Sequence, residues 1–121
     1  MQLENLEVYQ RAMRLGEQVW QLTNEWAYFP KDTIGKQVVR SADSVAANVS
    51  EGFGRYHYND NKRFCYYARG SLHETKTWLM KAHKRGLVDA DTFNAMRTDI
   101  DTLSVKLNNY IRSIGRSQHN P

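Results

Sequence analysis

The spacing of apolar residues most constrains the fold of this 121-residue chain. Apolar side chains recur in steps of three and four along four stretches, which is the spacing of one face of an α-helix. No stretch alternates between apolar and polar residues as a half-buried strand does. Pro30 is the only proline before the C-terminal residue, so a single internal helix breaker divides the chain. The sequence therefore predicts an all-α protein.

The apolar patterns set approximate bounds for the helices. The four predicted helices span residues 5–28, 33–53, 60–85 and 90–114. Pro30 separates the first two, and Asp32 is a candidate cap for the second. Short connections between long helices favour antiparallel neighbours, which predicts an up-down-up-down four-helix bundle. A 14.1 kDa chain buries about two-thirds of its unfolded surface, so we expect one domain over residues 1–121.

Short polar residues and glycines mark the predicted helix ends. Asn59 or Asp60 is placed to cap the third helix, and Asp89 or Asp91 to cap the fourth. The segment Gly52-Phe53-Gly54 predicts that the second helix ends at a left-handed residue. Gly86 and Gly115 are predicted to end the third and fourth helices. The connections are therefore expected to be tight.

The first predicted helix is apolar over more of its circumference than one packed seam requires. A second apolar row, beside the main stripe, comprises Leu6, Tyr9, Met13 and Trp20. An amphipathic helix of a monomer normally has one apolar stripe and one solvated face. We therefore predict a ring-like homo-oligomer whose subunits contact one another through this row. A broad central helix in a monomeric core is the alternative.

Polar residues on the second and third helices form another group. Its members are Arg40, Ser44, Asn48, Glu51, Ser71 and Glu74. If the two faces meet, with Gly70 allowing a close approach, these side chains bond between helices and fix their register. The alternative is an enzyme that uses Glu51, Glu74 and Ser44. No histidine lies in the group to act as a base, so the structural interpretation is favoured and no catalytic residue is assigned.

Metal, cofactor and thiol chemistry are not predicted. The four histidines, His57, His73, His83 and His119, lack the Glu-x-x-His spacing of di-iron bundles. The single Cys65 excludes an internal disulfide framework and is expected to be a packed apolar residue in a reducing compartment.

Positive charge is concentrated in one segment. Residues 55–85 carry a net charge of +6, whereas residues 1–54 carry −2. The basic residues of the segment are Arg55, Lys62, Arg63, Arg69, Lys76, Lys81, Lys84 and Arg85. A seven-residue spacing from Lys62 through Arg69 and Lys76 to His83 predicts one outward face of the third helix.

This basic face predicts a polyanionic partner, because repetition around a ring would add the potentials of the subunits. RNA or DNA bound without sequence specificity is the leading prediction, with Tyr56, His57 and Tyr58 available for base stacking. An adaptor that binds an acidic protein is the alternative. The sequence has neither a signal peptide nor an apolar run of about 20 residues, so we expect a cytoplasmic protein without a membrane partner.

Two segments carry a family resemblance: RSADSVAANVSEGFGR (Arg40 to Arg55) and RFCYYARGSLHET (Arg63 to Thr75). They resemble the signature segments of the "four helix bundle protein" family, whose founding members are encoded in intervening sequences of bacterial large-subunit ribosomal RNA genes. The resemblance covers residues 3–115. It implies a homopentameric barrel without established catalytic activity. A related branch, the accessory variability determinant of diversity-generating retroelements, implies nucleic acid and a nucleic-acid-handling protein as partners.

The match to the family pattern has both shared and divergent positions. The pattern residues present, whose role the resemblance leaves open, are Arg40, Ser44, Asn48, Glu51, Gly52, Arg55, Gly70, Ser71 and Glu74. Ala46 stands where many members have proline, and Lys76 where an acid is common. Asp43 replaces an apolar residue, which predicts a more solvated position or an altered subunit contact.

Overall fold

The computed structural model describes residues 1–116 and contains four long helices. They are α1 (Glu7–Asn24), α2 (Lys36–Phe53), α3 (Tyr58–Lys84) and α4 (Ala90–Ser113). A 3₁₀ turn, Leu3–Asn5, precedes α1, whereas a helical turn, Tyr28–Pro30, and a π-helical segment, Lys31–Gly35, lead directly into α2. Residues 1–116 contain no strand, which confirms the all-α class.

The long helices pack side by side around one core. Contacts join α1 with α2, α2 with α3, α3 with α4, and α4 with α1. Large side chains that are almost completely buried include Val19, Val38, Leu72, Leu79, Leu103 and Leu107. Within this set, Leu79 lies two turns after Leu72 on α3, and Leu107 lies one turn after Leu103 on α4. Each fully buried side chain of this type contributes roughly 1.5–3 kcal/mol through the hydrophobic effect.

The connection between α1 and α2 differs from the prediction. Helix α1 ends at Asn24, and Trp26 turns into the core. Pro30 lies within the first turn of the helical segment that follows, where its missing N–H would have no helical acceptor in any case. Asp32 therefore does not cap a helix; its carboxylate lies 2.8 Å from Lys36 Nζ.

Glycines follow the second, third and fourth helices as predicted, but the one after α2 is not left-handed. Gly54 follows α2 with a right-handed φ of −79°. Left-handed backbone occurs at Gly86 after α3 (φ 77°) and at Gly115 after α4 (φ 86°), where the sequence predicts the ends of these helices. These two positions are where a side chain would strain the backbone.

Only one of the predicted side-chain caps forms. Helix α3 begins at Tyr58, so Asn59 and Asp60 lie inside its first turn rather than before it. Asp89 caps α4, since its Oδ1 accepts a 2.7 Å hydrogen bond from the Thr92 N–H. No helix within residues 1–116 is long and apolar enough to cross a membrane.

Candidate nucleic-acid interface and subunit surface

The seven-residue basic row of α3 borders α4 instead of facing outward along its whole length. Arg69 Nη1 donates a 3.0 Å hydrogen bond to Asn108 Oδ1. Lys76 Nζ lies 2.7 Å from Asp101 Oδ1. His83 Nδ1 lies 2.8 Å from the Val88 carbonyl oxygen. Three members of the predicted outward face are therefore engaged between α3 and its neighbours.

The helical repeat explains this placement. Lys62, Arg69 and Lys76 each precede a buried residue of α3 by three positions, and residues three apart lie on the same side of a helix. The row therefore flanks the buried stripe, and long side chains in such positions reach the next helix. This spacing was present in the sequence and is the signal that the prediction missed.

Two further cations are paired within short distances along the chain. Arg55 Nη2 lies 2.7 Å from Glu51 Oε1, and Arg63 Nη2 lies 2.8 Å from Asp60 Oδ1. The Arg55 guanidinium also lies 4.7 Å from the centre of the Phe64 ring. Exposed pairs of this kind contribute about 0–1 kcal/mol each, so their main effect is to reduce the local positive charge.

The remaining cations of the segment have no ion pair among residues 1–116: Lys62, Lys81, Lys84 and Arg85. Lys81 and Lys84 lie in the last turn of α3, and Arg85 follows it. Three of these four cations therefore lie at the C-terminal end of α3, and Lys62 lies near its start.

The aromatic residues before α3 differ in exposure. Tyr56 is highly exposed, and its ring meets that of His57 edge-on at 5.0 Å. Tyr58 is less exposed, and its ring lies so close to Gly115 that a Cβ added there would be 3.1 Å from a ring carbon. Tyr56 therefore remains the most accessible ring for stacking in this turn.

The predicted polar side chains of α2 form hydrogen bonds within their own helix. Ser44 Oγ donates a 2.8 Å bond to the Arg40 carbonyl oxygen, and Asn48 Nδ2 donates a 2.9 Å bond to the Ser44 carbonyl oxygen. Such bonds to the carbonyl four residues earlier are the local alternative open to short polar side chains in helices. The predicted bonds of Ser44 and Asn48 to α3 are therefore replaced by intrahelical ones.

The acidic members of the group are also satisfied locally. Glu51 pairs with Arg55, and Glu74 accepts a 3.0 Å bond from Trp78 Nε1. Glu51 and Glu74 are exposed. Within residues 1–116, no hydrogen bond joins either carboxylate to Ser44.

A different polar contact joins α2 to α3. Thr75 Oγ1 lies 2.9 Å from Ser41 Oγ and 2.8 Å from the Ser71 carbonyl oxygen, and both hydroxyl side chains are buried. Close approach occurs near Gly52, where a Cβ would lie 2.8 Å from the Asn61 carbonyl oxygen. Gly70, by contrast, has no atom within 4 Å of a Cβ built there.

The second apolar row of α1 divides into buried and exposed parts. Leu6 is only 8% exposed and belongs to the core of its own chain, so it differs from the predicted subunit contact. Tyr9 is half-buried, whereas Met13 is 46% and Trp20 58% exposed. The available apolar surface of α1 is therefore centred on Met13 and Trp20.

A groove beside this surface runs between α1 and α2, and its lining includes the acidic residues Glu17 and Asp43. Its floor includes Gly16, where an added Cβ would lie 2.8 Å from Asp43 Oδ1. Partial burial, and then the charge of Glu17, raise the pKa of Asp43. The Asp43 side chain remains accessible at the rim of the groove.

Within residues 1–116, the cysteine is buried and the potential metal ligands lie apart from one another. Cys65 is buried, and burial raises the pKa of its thiol to about 11. Among residues 1–116, no three His, Cys, Asp or Glu side chains are grouped for metal binding. His119 lies outside the described residues.

The chain is similar to known proteins in both sequence and fold. The model of the family described as "23S rRNA-intervening sequence protein" matches residues 4–109. A solved structure with a TM-score of 0.79 is that of a protein with unknown function from the S23 ribosomal protein family of Bacteroides thetaiotaomicron. The two share 20% sequence identity over 86% of this chain and 97% of the other, so the similarity shows the fold alone. No curated protein matches the chain.

Proposed function

The chain belongs to the 23S rRNA-intervening sequence protein family, and from its surface chemistry we propose that it is a non-enzymatic, homo-oligomeric nucleic-acid-binding protein. In this proposal each subunit is an antiparallel up-down-up-down four-helix bundle, and five subunits form a ring-like assembly. The proposed setting is the cytoplasm, which suits a nucleic-acid partner and a buried free thiol.

The unpaired cations on and directly after α3 support the nucleic-acid part of the proposal. Lys62, Lys81, Lys84 and Arg85 have no ion pair among the described residues, so their charge is available to phosphates. Binding through such contacts is independent of sequence and weakens as salt rises, because each neutralised phosphate releases counterions.

The exposed surface of α1 supports the assembly. Met13 and Trp20 are large apolar side chains on one helix, and burying them between subunits would remove apolar area from water. Tyr9 extends this surface, whereas Leu6 supports it from within the core.

Binding of labelled single-stranded RNA and DNA, followed by fluorescence anisotropy, tests the function. We expect Kd to rise steeply between about 50 and 200 mM salt. Replacing the four unpaired cations by alanine should weaken binding more than about tenfold and reduce the salt slope by up to about 3, at roughly 0.7 per phosphate contact.

A control variant with the same loss of charge tests whether position matters. Arg14, Arg97, Arg112 and Arg116 are exposed residues outside α3, and their replacement by alanine should change Kd much less. Equal losses in both variants, or binding that does not depend on salt, would contradict the proposed site.

An acidic protein partner is the competing function for the same cations. Nuclease treatment of the complex isolated from cells separates the two, because a contact made only by protein survives it. A nucleic-acid-handling protein that is held in the complex only through the nucleic acid would also be released by the nuclease.

A further inference from the structure

A cationic groove lies where the start of α2 meets the end of α3. Its lining includes Thr33, Lys36, Gln37, Arg40, Trp78 and Arg85. Lys36 and Arg40 belong to α2 and are outside the basic segment that the sequence singled out. The groove therefore combines charge from two helices in a way that charge counting along the chain does not reveal.

Positive charge predominates in this groove. Asp32 is the one acid in its lining and lies 2.8 Å from Lys36 Nζ. The hydrogen bond between them raises the pKa of Lys36 and lowers that of Asp32, so the two charges largely cancel. Arg40 and Arg85 have no ion pair among residues 1–116 and provide the uncompensated charge.

The position of Arg85 alone has an ordinary structural explanation. Cations are favoured at the C-terminal end of a helix, and Arg85 follows α3 directly. Arg40, however, lies inside α2, one turn after its first residue, where no helix terminus attracts it. The guanidinium groups of Arg40, within α2, and Arg85, directly after α3, line one groove, and each can make a paired contact with a phosphate.

Trp78 gives the groove an aromatic wall. Its Nε1 donates a 3.0 Å hydrogen bond to Glu74, and the side chain is half-buried, so the orientation of the ring is restrained. A restrained ring beside cations is the combination that single-stranded nucleic acids use, since a base stacks while phosphates are neutralised.

We propose that this groove binds single-stranded nucleic acid, with Arg40 and Arg85 on the phosphates and Trp78 against a base. The inference deepens the proposed function, on which it rests, by assigning a defined site and adding α2 to it. Lys81 and Lys84 extend the positive charge along the last turn of α3 and guide the strand away from the groove.

The test compares two double variants that lose the same charge. Arg40→Ala with Arg85→Ala should raise the Kd for labelled oligouridylate and oligothymidylate at least about tenfold and lower the salt slope by about 1.4 for two phosphate contacts. Arg14→Ala with Arg112→Ala, on α1 and α4, should leave Kd within about twofold. Circular dichroism of both variants verifies that they are folded.

Trp78 supplies a second readout. Oligouridylate should quench the tryptophan fluorescence of the wild-type protein, and Trp78→Phe should remove most of that quench while binding, measured by anisotropy, persists. A quench that survives Trp78→Phe would place the base elsewhere and overturn the role of this ring.

The outcomes separate the groove from the broader function. If the wild-type protein binds both probes and the Arg40/Arg85 variant binds them equally well, the groove is overturned and the proposed function stands. If the wild-type protein binds neither probe at low salt, the proposed function fails and the groove with it. If polyglutamate binds the groove and the oligonucleotides do not, the site belongs to an acidic protein partner and the inference is wrong.

Discussion

Helices α1 and α3 expose methionine to the same extent but in different surroundings. Met13 on α1 is 46% exposed and Met80 on α3 is 45% exposed. Met13 shares its helix with the exposed Trp20, whereas Met80 is followed by the unpaired Lys81 and Lys84. The two exposed fractions are equal, so they do not distinguish the two surfaces. The neighbouring side chains do: an apolar neighbour favours contact with another subunit, and charged neighbours favour contact with water.

Charge separates the two helices further. The segment that contains α1 and α2 has a small net negative charge, and the segment that contains α3 is strongly positive. Packing two α3 surfaces together would bring like charges into contact, which costs several kcal/mol. Copies of this chain should therefore associate through α1 and leave α3 to an anionic partner.

The largest expected effect is on assembly. Met13→Glu with Trp20→Glu should dissociate the oligomer, because burying unpaired carboxylates in an interface costs several kcal/mol per ion. Size-exclusion chromatography with light scattering should give a mass near 14.1 kDa for this variant and a multiple of it for the wild type. Met80→Glu is the matched control and should assemble normally; dissociation of that variant instead would reverse the assignment of the two helices.

The next effect distinguishes the two sides of α3. Leu72→Ala removes a side chain that is almost completely buried and should lower the free energy of unfolding by about 2–5 kcal/mol. Met80→Ala, on the exposed side, should change it by less than about 0.5 kcal/mol. Urea denaturation measures both. Equal losses would mean that the exposed side of α3 is also covered.

A smaller effect is expected at the polar side chains between α2 and α3. It compares Thr75, which contacts Ser41, with Ser44, which the sequence placed in the polar layer. Thr75→Val removes a buried hydroxyl that contacts Ser41 and should cost about 1 kcal/mol of unfolding free energy. Ser44→Ala removes only an intrahelical bond of α2 and should cost less than about 0.5 kcal/mol. The opposite order in thermal or urea denaturation would favour the polar layer that the sequence predicted.

The smallest effect is expected at Asp43 of α2, in the groove beside α1, and it depends on pH. Burial and Glu17 raise the pKa of Asp43, so the native state disfavours its ionised form, and this cost is present above the raised pKa and is relieved as pH falls through it. Asp43→Asn should therefore stabilise the protein near pH 7, by less than about 0.5 kcal/mol because the side chain is accessible. The difference from wild type should vanish near pH 3, where both side chains are neutral. A stabilisation that grew on acidification would contradict the assigned cause.

Periodicity predicted the long helices well because the buried stripe of each helix is a local property of the sequence. The family match confirms the resemblance that the segments beginning at Arg40 and Arg63 carried. The α1–α2 connection could not be predicted in the same way. Trp26 continues the apolar pattern of α1, yet it enters the core from a turn, and Pro30 suits the first turn of a helix as well as a break.

The candidate site was less predictable because it depends on which helix lies beside which face. The row that includes Arg69 and Lys76 has the spacing of one face, but only tertiary packing shows that α4 lies against it. Ser41 and Thr75 lie among apolar residues on the buried faces of α2 and α3. The sequence pattern therefore did not identify them as a polar contact between the helices. The groove of Arg40 and Arg85 joins residues far apart in the chain, which no local pattern reports.

Oxidation of the methionines in the native wild-type protein tests the central comparison most directly. Peroxide treatment followed by peptide mass spectrometry gives a rate for each thioether, with the exposed Met1 and the buried Met96 as upper and lower references. If subunits associate through α1 and leave α3 open, Met80 should be oxidised several times faster than Met13 despite their equal exposure in the single chain. Equal rates for Met13 and Met80 would contradict the assignment of α1 to the subunit interface.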